Sequence, residues 1–223
     1  MTYCLSISAG TGSIVGEDTT TVLEGVTITG AGKGAVACDN ESGPLIRDCV
    51  FTGNSFIGGW HGGGIVIADG SSPVIRRCTV TGNTGNPNGG GIFIRLSTAV
   101  IEDCTISGNT ALEQGGGIAS YPGSNVTIRR CIIEDNVSVG DSGGGVYLIS
   151  GTMIVEDCSV TGNNSGYGGG GFFSAVNGVM ELTRTLIADN TSAIIGGGVY
   201  SAAGMTMSRC TVAGNWTEYY GGG

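Results

Sequence analysis

GGGIASYPGSNVTIRRCIIEDN, residues 115–136, is one full copy of a unit that the chain repeats almost from end to end. The Gly-Gly-Gly triplet returns at 62–64, 89–91, 115–117, 143–145, 169–171, 196–198 and 221–223, in steps of 27, 26, 28, 26, 27 and 25 residues. A second signature lies between the triplets, as Cys78-Thr-Val-Thr-Gly-Asn83, and returns at Cys104–Asn109, Cys131–Asn136, Cys158–Asn163 and Cys210–Asn215. Cys49–Asn54 is the same unit, Thr185–Asn190 is a copy with Thr in place of Cys, and a degenerate copy runs through Leu23, Val26 and Ile28 to Ala31. Self-similarity at a fixed period means a stack of equivalent turns rather than one globular core.

Within the quoted unit, apolar residues alternate with period two, so Val126 and Ile128 point inward, as do Cys131 and Ile133, followed by Asn136. The two-residue gaps from Ile128 to Cys131 and from Ile133 to Asn136 break the alternation and are read as corners. Three residues before the Cys the column is Ile46, Ile75, Ile101, Ile128, Val155, Leu182 and Met207; two after it, Phe51, Val80, Ile106, Ile133, Val160, Ile187 and Val212. Ile65/Ile67, Ile92/Ile94, Ile118/Ser120, Val146/Leu148, Phe172/Ser174 and Val199/Ser201 supply a third inward wall. The expected fold is all-β: a single-stranded parallel β-helix over residues 21–223, with about 7–8 coils of about 26 residues and three short strands per coil. Residues 1–20 are read as a lead-in or partial coil. The triplet itself is read as the bend entering a strand, where absent side chains allow close coil approach and permissive φ.

Composition fits this reading. With Gly 45, Pro 4, 40% hydrophobic and 12% charged residues, the chain is too apolar for disorder and too Gly-rich for helices. The glycines cluster once per repeat, which excludes collagen. A net charge of −9 offers no basic footprint, so nucleic acid is not an expected partner. No apolar run reaches transmembrane length, so the chain is not expected to be membrane-embedded. Residues 1–20 lack the basic and apolar regions of a signal peptide. The stop at Gly221–Gly223, where earlier repeats begin a strand, reads as an internal fragment truncated at its C-terminal end. Open strand edges there favour end-to-end self-association.

Three columns carry polar chemistry. Asn54, Asn83, Asn109, Asn136, Asn163, Asn190 and Asn215 are expected at a corner, as an internal ladder that satisfies the turns. Of the Asn-Thr copies at 83, 109 and 190, only Asn190-Thr-Ser is an acceptor sequon for glycosylation, and the structural role is preferred. Cys49, Cys78, Cys104, Cys131, Cys158 and Cys210 share one inward position, where a reduced packing ladder is expected in preference to disulfides or a metal site. Just before the Cys, Asp48, Arg77, Asp103, Arg130, Asp157 and Arg184 alternate in sign, beside Arg76, Glu102, Arg129 and Glu156. A register-fixing charge ladder, each member between two opposites, is expected; a catalytic carboxylate dyad is the alternative. Thr79/Thr81, Thr105/Ser107 and Ser159/Thr161 form an outward array of the kind that orders water. Ile132/Glu134 and Leu186/Ala188 interrupt it, which favours an ordinary solvated face.

The patterns G-G-G-[IV]-x-[IL] and C-[TS]-[IV]-[TS]-G-N resemble the right-handed parallel β-helix proteins of the pectin-lyase-like superfamily. Among these they are most similar to bacterial surface repeat proteins such as the chlamydial polymorphic outer-membrane proteins, although the Cys unit here stands where those carry a Phe-type unit. The resemblance implies a right-handed coil and an extracellular or cell-surface location, as an adhesin or autotransporter passenger. The same scaffold carries lyases and hydrolases, so the architecture does not select an activity.

Recognition is expected in the variable loop between each Asn and the next triplet. It holds Phe56, Trp60, His61, Tyr167, Trp216, Tyr219 and Tyr220, whose rings could stack on sugars, with Glu113, Asp141 and Glu218 to bond hydroxyls. Aromatic residues covering the seam of the solenoid are an equal alternative. The single histidine has no partnered nucleophile, and no calcium repeat occurs, so no catalytic residue, cofactor or metal is expected. The first choice is a non-catalytic surface scaffold or adhesin whose partners are glycans or host or cell-surface proteins. A polysaccharide-binding β-helix, or a polysaccharide lyase or glycoside hydrolase, is one alternative, and a self-stacking fibre is another.

Overall fold

The computed structural model describes residues 12–15, 20–56 and 62–222. It is an all-β parallel solenoid of about seven turns, with its strands in three sheets. A first wall follows the triplets: Val36–Asp39, Ile65–Ile67, Ile92–Ile94, Ile118–Ser120, the leading parts of Val146–Glu156 and Phe172–Thr183, and Val199–Ser201. A second wall precedes the Cys corner: Val22–Glu24, Leu45–Arg47, Val74–Arg76, Thr98–Glu102, Asn125–Arg129, the trailing parts of the two long strands, and Met205–Ser208. Because Val146–Glu156 and Phe172–Thr183 run from one wall into the other, both walls belong to one 14-stranded sheet. A third wall of eight strands, Thr27–Thr29 to Thr211–Ala213, follows the corner.

One element was not foreseen. A two-residue strand follows each Asn, as in Thr110–Ala111 and Val137–Ser138, and seven of these form the third sheet. The sequence reading assigns these residues to the variable loop, because two residues are too few to show a period. Gly12–Val15 pairs in parallel with Val36–Asp39, so the first-wall ladder already includes part of residues 1–20.

The inward columns form one continuous core in which Phe51, Ile75, Ile101, Ile128, Val155 and Ile187 are buried. Register keeps equivalent residues over one another: Ile101 pairs with Ile75 and Ile128, and Ile106 with Val80 and Ile133. The expected inward residues are therefore the stacked ones.

Each bend has a left-handed residue. The Cys corner turns on Gly25, Asp48, Arg77, Asp103, Arg130, Asp157, Arg184 and Arg209, with φ from 49° to 68°. The next corner turns on Gly30, Gly53, Gly82, Gly108, Asp135, Gly162, Asp189 and Gly214, the residue before the Asn position. The Asn itself does not make the turn. The turn is made one residue earlier, which leaves the Asn side chain free to enter the core. The third bend uses the first glycine of the triplet, as at Gly89 (φ 60°) and Gly115 (φ 67°). The second and third glycines have a different reason: a Cβ on Gly116 would lie 2.5 Å from the Gly144 carbonyl oxygen, and one on Gly117 would lie 2.6 Å from that of Gly145. Only glycine admits the next coil at that distance.

Candidate functional site

The Asn column is buried from Asn54 to Asn190 and hydrogen-bonded throughout. Asn136 shows the pattern. Its Oδ1 accepts from the Asn109 backbone N–H at 3.0 Å and from Asn109 Nδ2 at 2.9 Å. Its Nδ2 donates to the Ile106 carbonyl at 2.9 Å and to Asn163 Oδ1 at 2.9 Å. Both amide ends are saturated, so Asn190, although it heads a sequon, has its Nδ2 committed to Val160 and Asn215.

The cysteines of the second column are unpaired thiols, buried from Cys49 to Cys158 and partly exposed at Cys210. Each lies within reach of the carbonyl two residues before it, as Cys104 Sγ donates to Glu102 at 3.1 Å, and of a carbonyl one coil back, for Cys104 that of Ile75 at 3.6 Å. Thr185 makes the same short bond, Oγ1 to Thr183 at 3.1 Å, which is why Thr can stand in for Cys. The Cys104 thiol beside it, then burial, push Cys131 up to about 12. This disfavours at Cys131 the thiolate form that a nucleophile or a metal ligand needs.

The charge column differs from its expectation. It resolves into three separate bidentate pairs, each Arg reaching back one coil: Arg77 to Asp48 at 2.8 and 2.7 Å, Arg130 to Asp103 at 2.6 and 3.0 Å, and Arg184 to Asp157 at 2.6 and 2.8 Å. Arg130 also meets Glu102 at 3.1 Å, and Arg76 lies 3.6 Å from Asp103. No ion pair joins Arg77 to Asp103 or Arg130 to Asp157 among the described residues, so each acid has a partner on one side of its own column. Each Arg side chain bends back one coil, which carries its guanidinium toward the preceding Asp and away from the following one. The bonded Arg in each pair holds Asp48, Asp103 and Asp157 below the usual carboxylate range. These acids are ionised and fixed, and none is poised as a proton donor.

Of the expected recognition residues, Trp60 and His61 lie outside the described residues. Tyr167, Trp216, Tyr219 and Tyr220 are all exposed on the loop edge. The bridges Gly168–Ile195–Tyr220 put Tyr167, Ile194 and Tyr219 at one register position, so Ile194 separates the two tyrosines. Tyr219 and Tyr220 have ring centroids 6.5 Å apart, and Trp216 opens the short strand of the same loop. With Leu112 and Val139, also exposed, these side chains form an apolar edge along the C-terminal half.

The sequence reading missed the outer face of the first wall. Phe93, Tyr121, Tyr147, Phe173 and Tyr200 form a row with successive centroids 5.1, 6.2, 5.4 and 4.9 Å apart. Phe93, Tyr121 and Tyr147 are buried. The signal was present at the second residue after each triplet, where Val66, Phe93, Ala119, Tyr147, Phe173 and Tyr200 align. At Ala119 the small side chain leaves room that the Tyr121 ring fills. The Tyr121 hydroxyl donates to Gln114, whose Nε2 donates to Asp141 at 2.5 Å. Burial, then Asp141, push the Tyr147 phenol up to about 12. Rings that cover one another's faces act as a second core, not as a platform for sugars.

Among the described residues no three His, Cys, Asp or Glu side chains are grouped to hold a metal ion, and no helix is long and apolar enough to cross a membrane. A family model described as "Right handed beta helix region" matches residues 4–142, more than half of the chain. No curated protein matches, and no solved structure does.

Proposed function

The chain belongs to the right-handed beta helix family, and from that membership we propose that it is a non-catalytic scaffold of the cell surface or extracellular space. The observation that carries this reading is the saturation of the repeated polar side chains by one another. The Asn amides, the thiols and the corner carboxylates each find their partners within the stack. What varies from coil to coil is the loop edge, and its exposed Tyr167, Trp216, Tyr219 and Tyr220 form the recognition face. Exposed aromatic residues beside polar loops suit glycans and cell-surface proteins. The likeness of the triplet and Cys units to bacterial surface repeat proteins supports the location.

The test is binding to a glycan array and to intact cells, with and without alanine at Tyr167, Trp216, Tyr219 and Tyr220. The reading expects binding to fall while the melting temperature holds. Release of new reducing ends or unsaturated products from any polysaccharide on the array would overturn it in favour of a lyase or hydrolase.

A further inference from the structure

The outer aromatic row has a gap at its N-terminal end. Where later coils carry Phe93, Tyr147, Phe173 and Tyr200, the two preceding coils carry Ala37 and Val66. Two residues further on, Ala68 precedes Arg95. These small side chains floor a depression of about 310 Å³, rimmed by Lys33, Asp69 and Arg95. An antiparallel bridge between Lys33 and Phe56 fixes the backbone of Lys33 at that rim.

Neither cation at this rim is held by a close ion pair. Lys33 is the only lysine in a chain of net charge −9. Among the described residues it has no carboxylate partner, whereas seven of the eight arginines do. The Arg95 pairing is loose: one contact to Asp69 at 3.5 Å, with Nε buried and without a hydrogen-bond partner. An orphaned guanidinium nitrogen beside an apolar floor is an unfilled recognition group.

We propose that this depression binds a small monocarboxylate, with the carboxylate between Lys33 Nζ and the Arg95 guanidinium and an apolar body on Ala37, Val66 and Ala68. Arg offers a planar fork to a carboxylate, and Lys adds a point charge. Asp39 and Asp69 at the margin disfavour a second negative charge, which selects a monoanion over phosphate. The carboxylate has two possible sources, a free small acid or the C-terminus of a peptide.

A single lysine makes the test direct. Reductive ¹³C-methylation gives one lysine methyl signal, which is followed while adding benzoate, benzamide, inorganic phosphate, or a short peptide ending in valine as free acid or amide. The expected result is a saturable shift with benzoate or the free-acid peptide near about 1 mM, and none with benzamide, phosphate or the amidated peptide. A response to benzoate alone assigns a free acid, and one to the peptide alone assigns a chain terminus. Arg95→Gln is expected to weaken binding about tenfold or more at an unchanged melting temperature. Benzamide shifting the signal as benzoate does, no shift with either acid, or unchanged affinity in Arg95→Gln would each overturn the site.

Discussion

At the scale of the residue, the stability of this chain rests on side chains that serve two coils at once. Asn136→Ala removes four hydrogen bonds: the buried Asn109 backbone N–H loses its acceptor, and Asn109 Nδ2, the Ile106 carbonyl and Asn163 Oδ1 each lose a partner. Stranding buried partners costs about 1–3 kcal/mol each, so chemical denaturation is expected to show a loss of at least about 3 kcal/mol. The partly exposed Asn215, given the same substitution, should lose less than half as much. Cys131→Thr should stay within about 1 kcal/mol of the parent, because Thr185 already makes the thiol's bond to the carbonyl two residues back. Acid dependence follows from the corner pairs. Asp48, Asp103 and Asp157 are held below the ordinary value of 3.8, so their contribution is present above that pH and is lost as pH falls through their folded-state values. Urea midpoints should fall from pH 5 toward about pH 3, and Asp→Asn at all three positions should flatten that limb. All three acids are at the surface, so salt should weaken the effect.

At the scale of the element, the walls were legible because their inward residues keep strict columns, Ile46 to Met207 and Phe51 to Val212, that no other period explains. Several features were not legible. The two-residue strands after each Asn are too short to alternate, and they pair only because the Asn ladder fixes the backbone on which they start. The outer aromatic row was hidden because outward positions were equated with solvent, whereas Phe93 and Tyr147 lie buried under their own neighbours. The alternating corner charges were visible as a pattern, but the local pairing was not, since sequence gives no direction to an Arg side chain. Of the candidate recognition residues, the exposed tyrosines and Trp216 were identifiable as loop aromatics; the rim at Lys33 and Arg95 was not, because it depends on which coils carry small residues. The triplet gives a sharp contrast for experiment. Gly116→Ala puts a Cβ 2.5 Å from two backbone oxygens, those of Gly144 and Val137, whereas Gly204→Ala meets nothing within 4 Å. The first should cost about 3 kcal/mol or more and the second less than about 1 kcal/mol. Similar losses in a melting series would contradict the close-packed bend.

At the scale of the whole molecule, one repeat does the work of a core and a register key, and the proposed recognition role falls on the edges that do not repeat. Nearest-neighbour stacking implies that damage in a middle coil is felt by both flanks, whereas damage in the last described coil, where Met207 and Val212 are already exposed, is felt by one. Met207→Ala is therefore expected to destabilise less than Ile128→Ala, which removes a side chain with no solvent exposure and should cost about 2–5 kcal/mol by denaturation. The central claim is that the repeated Asn side chains are internal structural bonds and are not available to ligands. Hydrogen exchange of side-chain amides, followed by NMR, tests it most directly, with the exposed Asn40 and Asn125 as references in the same molecule. The account predicts slow Nδ2 exchange from Asn54 through Asn190, approaching that of the core backbone, and faster exchange at Asn215. Exchange of the ladder amides at the rate of Asn40 and Asn125 would contradict it.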